Sequence, residues 1–136
     1  YDALYADPVE TVDLYTRECS YDVNALDLAT MGATLANGGT NPRTHLPVVD
    51  ATTSAHVLAV MATAGLYNTT GEWLFKVGLP GKSGVGGGIV AVVPGKLAIG
   101  VYSSRLDAAG NSVRGQLAVQ FIAETLGANI FSSKAQ

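Results

Sequence analysis

Apolar residues recur at spacings of three and four along three stretches of the amino-terminal half, which is the pattern of helices with one buried face. The predicted helices follow Asp7, Asn24 and Asp50, each a residue whose side chain can cap a first turn. The second ends at Gly38 and the third at Gly65, as helices commonly end at glycine. In the first helix, Val12, Tyr15 and Cys19 fall on one face. A fourth helix, which ends at Gly127, is predicted to have an apolar face formed by Val113, Leu117, Ala118, Phe121, Ile122 and Leu126.

The pattern changes to short runs of β-branched residues between the third and fourth helices. A buried strand is predicted at 89–93, followed by a tight turn at 94–96 and a second strand at 97–102. Trp73 opens a further short strand predicted at 73–77. Helices, then a hairpin, then a covering helix predict an α+β fold.

The amino-acid composition and net charge of the chain exclude several kinds of function. The 136 residues fit one domain or part of one, and 48% are apolar against 14% charged, so some apolar area is expected to pack against another chain or segment. A net charge of −3 disfavours a nucleic-acid partner, and the lack of a long apolar run predicts no membrane span. The lone Cys19 excludes an internal disulfide and is expected to be buried. Neither His45 nor His56 has a partner at metal-ligand spacing, so no metal or other cofactor is predicted.

The glycine-rich stretch 77–89 carries the most chemical information. It sets Lys82 and Ser83 between glycines just before a predicted strand, where a charge, a hydroxyl and free amides suit a carboxylate-bearing amide. The spacing does not match a phosphate loop, a dinucleotide fingerprint or a nucleophile elbow. A flexible bend before a core strand remains the alternative.

Several segments, in order, resemble the serine-dependent glutaminases, a family with the β-lactamase and penicillin-binding-protein fold. They are residues 14–20, 33–39, 61–67, 77–89 and 110–113. The resemblance implies a β-lactamase/transpeptidase-like fold, with helices packed on an antiparallel sheet. It also implies hydrolysis of L-glutamine to L-glutamate and ammonia through a serine acyl-enzyme, in a cytoplasmic homodimer or homotetramer without cofactor.

The family's nucleophile lies in a Ser-x-x-Lys motif, which this sequence lacks. The residues three positions before its lysines are Trp73, Leu79, Val93 and Phe131. Residues 1–131 are therefore expected to be the carboxy-terminal half of a glutaminase domain, with 132–136 a solvated tail. The missing amino-terminal half would be its partner, and this chain alone is expected to be inactive. The absence of an initial methionine fits a chain that begins inside a longer polypeptide.

The resemblance also assigns site residues. Tyr15 and Tyr67 match tyrosines that contact glutamine, and Tyr67 also lies near the nucleophilic serine as a proton relay. Val85 matches a position whose backbone N–H helps to bind the amide oxygen. Lys82 and Ser83 match a Lys-Thr/Ser-Gly motif with catalytic roles. The alternatives are a core residue for Tyr15, an amphipathic helix end for Tyr67 and a solvated charge for Lys82.

Two other functions remain open at this stage. A β-lactamase or penicillin-binding relative would share the Lys-Ser-Gly motif, although the two tyrosines and the segment 36–39 favour a glutaminase. A non-catalytic binding domain of the same fold would lack any nucleophile in its parent chain.

Overall fold

The structure, a computed structural model, describes residues 4–132 of the chain. It contains these elements in chain order: α1 (Pro8–Glu18), α2 (Ala25–Ala36), α3 (Ala51–Ala64), α4 (Thr70–Val77), β1 (Gly81–Ser83), β2 (Gly88–Val93), β3 (Leu97–Tyr102) and α5 (Val113–Leu126). A short 3-10 turn, Tyr67–Thr69, precedes α4. Of the predicted tail, only the exposed Ser132 lies inside the described residues.

The strands form one antiparallel sheet in the order β1-β2-β3. The predicted hairpin is confirmed: Lys96 N–H donates to the Val93 carbonyl over 3.0 Å, and Gly95 has a φ of 73°. Proline followed by a glycine of positive φ is typical of a type II turn. Helices packed on an antiparallel sheet confirm the predicted α+β class.

The sheet lies between two helical layers. Successive side chains of each strand point to opposite faces of the sheet, so each face packs against a different set of helices. On one face, Ile89 and Ala91 pack with Val119 and Trp73 in the larger buried cluster. On the other, Val92 packs with residues of α2 and α3. Strand β1 stands at one edge of the sheet, and the segments around it hold most of the predicted site residues.

The strand predicted at 73–77 is wrong, since these residues belong to α4. Trp73 and Val77, one helical turn apart, are buried, whereas Phe75 is 88% exposed. A Lys76–Glu72 ion pair of 2.6 Å and the left-handed Gly78 at the carboxyl end are further helical features. The strand was predicted because Trp73, Phe75 and Val77 stand at alternate positions, which is the spacing of side chains on one face of a strand.

The apolar faces predicted for the first and last helices are not the faces that pack on the core, apart from Ile122 of α5, which is partly buried against it. No residue of α1 is buried, and Cys19 is exposed rather than buried. In α5 the core contacts come from Gly115, Val119 and Ala123, the next positions around the helix. Val113, Leu117 and Phe121 are exposed. Among residues 4–132, no helix is long and apolar enough to cross a membrane.

Glycine at position 32 allows α2 to approach the sheet closely. A Cβ there would lie 2.5 Å from Val90 Cγ2 and 2.7 Å from the Ala98 Cβ. Gly32→Ala is therefore expected to lower the free energy of unfolding by about 1–3 kcal/mol through overpacking. The control is Gly71→Ala in α4, whose Cβ would meet nothing within 4 Å. That change should raise the free energy by about 0.4–1 kcal/mol. Urea unfolding of both variants measures the difference, and equal stabilities would contradict the close approach.

Candidate functional site

Tyr67 occupies a strained turn directly after α3. Its φ of 51° lies in the left-handed region, which costs a non-glycine residue roughly 1–2 kcal/mol. Two hydrogen bonds with the Thr70 hydroxyl hold this turn in place. Leu66 N–H donates to Thr70 Oγ1 and the Thr70 hydroxyl donates to the Tyr67 carbonyl, each over 2.8 Å. Leu66 is fully buried while the Tyr67 side chain remains partly exposed. The turn thus anchors the chain inside and presents a phenol outside.

Lys82 brings a positive charge to this phenol. Its Nζ lies 5.0 Å from the centre of the Tyr67 ring, a distance at which a cation is attracted to an aromatic face. The same ammonium donates to the Ser83 carbonyl. Partial burial lowers the pKa of Lys82 below its ordinary value, because it penalises the charged form. Two of the predicted site residues therefore lie together.

Ser83 lies on the opposite face of β1 from Lys82, since side chains alternate along a strand. It is buried, and its N–H donates to the Gly65 carbonyl over 3.1 Å. Its hydroxyl lies 3.5 Å from the same oxygen. The structure therefore does not bring the Ser83 hydroxyl beside the Lys82 ammonium. Ser83 instead ties β1 to the residue two positions before Tyr67.

Val85 stands in the turn that joins β1 to β2. Gly87 N–H donates to the Gly84 carbonyl over 2.9 Å, and Gly84 N–H donates to the Gly88 carbonyl over 3.0 Å. The Val85 side chain is 70% exposed. Within residues 4–132 its own N–H has no acceptor. This amide is thus available to an oxygen from outside the chain.

Gly110 connects the Val85 turn with the Tyr67 turn. A Cβ at this position, where φ is 94°, would lie 3.4 Å from Val85 Cγ1 and 3.6 Å from Tyr67 Cε2. The predicted turn at 107–111 is confirmed, because an Asp107 Oδ1 accepts from the N–H groups of Ala109 and Asn111, each over 2.9 Å. These bonds, with that from Asn111 first, hold the pKa of Asp107 below its ordinary value.

Tyr15 is 65% exposed on α1, so it is not a core residue. Its pKa is raised above the ordinary value, first by a hydrogen bond with the Cys19 thiol one helical turn later. The charge of Tyr67 contributes a smaller part of the same shift.

Two hollows adjoin Lys82. One, of about 550 Å³, lies over the start of β2 and is lined by Tyr21, Asp22, Val23, Leu28, Lys82, Ser83, Gly84, Gly86, Gly88, Val90 and Tyr102. The other, of about 590 Å³, is largely apolar and lies between α2 and α3. Tyr15, Tyr67 and Val85 do not line the first hollow. Val85 nevertheless lies between Gly84 and Gly86, which do, and Tyr67 contacts Lys82, which also does.

Gly110 and Asn111, predicted only as part of a turn, lie close to the predicted site residues. A Cβ at Gly110 would stand within 4 Å of both Tyr67 and Val85, and Asn111 is fully buried beneath the Tyr67 turn. The signal was present, since segment 110–113 is among those that resemble the family. In the part of the chain that the structure describes, no group of three His, Cys, Asp or Glu side chains is placed to hold a metal ion.

Comparisons with known proteins agree with one another. A sequence profile described as "Glutaminase" matches residues 1–131. "Glutaminase 2" of Yersinia pestis is 56% identical over 134 residues, which are 98% of this chain and 39% of that protein. The solved structure of a "probable glutaminase ybaS" superposes with a TM-score of 0.91 at 54% identity, covering 96% of this chain and 42% of the other.

A third relative bears directly on chemistry. The Bacillus subtilis glutaminase YbgJ, 34% identical with a TM-score of 0.89, was solved as a covalent complex with 5-oxo-L-norleucine formed by reaction with 6-diazo-5-oxo-L-norleucine. The match covers 94% of this chain and 46% of that one. Against the two proteins above, the chain spans about two fifths of their length. The fold is the β-lactamase-like fold that the resemblance implied. The profile match and these identities show that the chain belongs to the glutaminase family.

Proposed function

We propose that this chain forms one wall of an active site that hydrolyses L-glutamine to L-glutamate and ammonia. The observation that carries the proposal is the convergence of Tyr67, Lys82 and Val85. Lys82 lies over the Tyr67 ring, and atoms of Tyr67 and Val85 both lie within 4 Å of the point where a Cβ at Gly110 would stand. Tyr67 follows α3, whereas Lys82 and Val85 belong to β1 and the turn after it, so the meeting of Tyr67 with the other two is a property of the fold.

The attacking group in this proposal is a serine from outside residues 1–136. The covalent complex of YbgJ supports it, because a diazo ketone takes the place of the glutamine carboxamide in that reagent and a nucleophile must have attacked it. The chain spans only about two fifths of its relatives, which leaves room for a Ser-x-x-Lys motif in a preceding segment. The amino-terminal part of the domain is thus the first partner, within a homodimer or homotetramer.

The proposed steps assign a role to each side chain. The serine oxygen attacks the carboxamide carbon, and the Val85 N–H donates to the oxygen that becomes negative. Tyr67 passes the proton of the attacking serine hydroxyl to the departing ammonia, and Lys82 supplies a positive charge beside the Tyr67 ring. Water then releases glutamate from the acyl-enzyme. Tyr15 binds the substrate, and Ser83 keeps β1 in place against Gly65.

The test is ammonia release from glutamine by the full polypeptide that carries this sequence. We expect turnover of glutamine, none of a chromogenic β-lactam, and none by residues 1–136 alone. Serine-to-alanine substitution in the expected Ser-x-x-Lys motif should abolish the reaction. Hydrolysis of the β-lactam without glutamine turnover would assign the protein to the other branch of the fold. Inactivity on both substrates would favour a binding domain.

Lys82 predicts how activity depends on pH. Because burial lowers its pKa, the cation beside Tyr67 is lost at a lower pH than for a free lysine. Arginine stays charged throughout, so Lys82→Arg should move the alkaline decline of kcat/KM to higher pH. Lys96→Arg, in the exposed turn before β3, is the matched control and should leave the profile unchanged. An identical decline in the Lys82 variant would remove this lysine from the reaction.

A further inference from the structure

Asn111 places a complete carboxamide in the interior directly beneath the Tyr67 turn. It is fully buried, and its Nδ2 donates to Thr69 Oγ1 over 2.9 Å. The same nitrogen lies 3.5 Å from the Leu66 carbonyl. These partners are more than 40 residues away in sequence, so the contact exists only in the folded chain. Asn111 thus joins the loop before α5 to the turn that follows α3.

The contact is unusual because its other half is left unpaired. The Asn111 Oδ1 is buried and has no donor among the described residues. An unsatisfied buried polar atom costs about 1–3 kcal/mol. The side chain bonds to Thr69, two residues after Tyr67, and Tyr67 is itself in a strained left-handed conformation. Strain that collects in one place is characteristic of sites where geometry is held for function.

The hydrogen bonds fix the orientation of the peptide group before Tyr67. Thr69 donates twice to the Leu66 carbonyl, from its N–H over 3.1 Å and from its hydroxyl over 3.0 Å. Asn111 holds that hydroxyl from the other side. Because the Leu66 carbonyl belongs to the peptide plane that rotates with the φ of Tyr67, these bonds hold the angle at its strained value. The Thr70 hydroxyl fixes the following peptide in the same way.

Asn111 is itself held in place by hydrogen bonds that lead to α5. Its N–H donates to Asp107 Oδ1 over 2.9 Å, and Asp107 Oδ2 accepts from Gln116 Nε2 of α5 over 2.9 Å. A Cβ at its neighbour Gly110 would lie within 4 Å of both Tyr67 and Val85. A continuous series of bonds therefore runs from α5 through Asn111 to the Tyr67 turn.

From this geometry we propose that Asn111, acting through Thr69, is a positioning residue that sets the direction of the Tyr67 phenol. The proposal rests on the proposed function, in which that phenol takes part in the reaction. Asn111 touches no reacting atom. Its effect on the reaction requires the Tyr67 hydroxyl to be present.

The test measures kcat and KM for glutamine with the full polypeptide. Asn111→Ala and Thr69→Val should each lower kcat by about 10- to 100-fold, since small misplacements of a reacting group have effects of this size, with KM little changed. Thr69→Ser keeps the hydroxyl and should restore most of kcat. Ser54→Ala is the matched control: Ser54 is also buried and its hydroxyl donates to the Leu35 carbonyl over 2.8 Å, but it lies away from the Tyr67 turn. It should change stability and not kcat.

A double-mutant cycle separates positioning from general support of the fold. In a Tyr67→Phe background, Asn111→Ala and Thr69→Val should have almost no further effect on kcat. The same loss in both backgrounds would overturn the proposal, as would full activity of a folded Thr69→Val variant. Full activity of Tyr67→Phe alone would instead refute the proposed role of Tyr67, and the positioning role with it. A crystal structure of the Asn111 variant should show residue 67 out of the left-handed region, and an unchanged φ would also count against positioning.

Discussion

Tyr67→Phe in the full polypeptide is expected to lower kcat for glutamine by about 100-fold or more, the usual contribution of a general acid or base. The substitution removes one oxygen and keeps the ring beneath the Lys82 ammonium. The KM should change little, because an interaction made mainly in the transition state affects kcat and not uniform binding. Steady-state ammonia release at several glutamine concentrations measures both constants.

Tyr5→Phe is the matched control for this change. Tyr5 is 99% exposed, so loss of its hydroxyl should leave both constants as they are. Equal kcat in the Tyr67 variant and the wild type would refute a role in proton transfer. A raised KM with unchanged kcat would assign Tyr67 to substrate binding alone.

The helix starts could be predicted because their signals are local. Asp7, Asn24 and Asp50 each accept from backbone N–H groups within the next three residues, as their types and positions suggested. The hairpin turn at 94–96 is equally local. Such features depend on a few neighbouring residues, and a single sequence contains all of them.

The buried side of an element depends on what packs against it, and this the sequence did not reveal. In α5 the small residues Gly115 and Ala123 face the sheet while larger ones point outward, because the helix lies close to the strands. The 73–77 segment has apolar residues at both helical and strand spacings, and only the contacts of Trp73 and Val77 with the core decide between them.

For the candidate site, too, the residues could be predicted from the sequence but their packing could not. Tyr15, Tyr67, Lys82, Ser83 and Val85 could be named from a resemblance, because residue types at fixed positions carry it. Their arrangement could not. The cation of Lys82 over the Tyr67 ring and the bond from Asn111 to Thr69 both arise from contacts between distant segments. These contacts explain why the chemistry needs this fold and not the motifs alone.

Val85→Pro tests whether the backbone N–H of Val85 acts as a hydrogen-bond donor in the reaction. Val85 is the second residue of the turn 84–87, a position where proline is favoured, and its φ is not positive. Its N–H makes no hydrogen bond among the described residues, so proline removes a donor without breaking a bond of the fold. If this N–H binds the developing oxyanion, kcat should fall by about 100- to 1000-fold.

Val85→Ala keeps the N–H and removes most of an exposed side chain, so it should retain nearly full kcat. The pair therefore separates the backbone from the side chain at one position. Thermal unfolding shows whether the proline variant keeps the stability of the wild type, as its place in the turn predicts. A stable proline variant with wild-type kcat would show that the Val85 N–H does not bind the oxyanion. Activity lost in the alanine variant instead would mean that packing of the valine side chain near Gly110 supports the site.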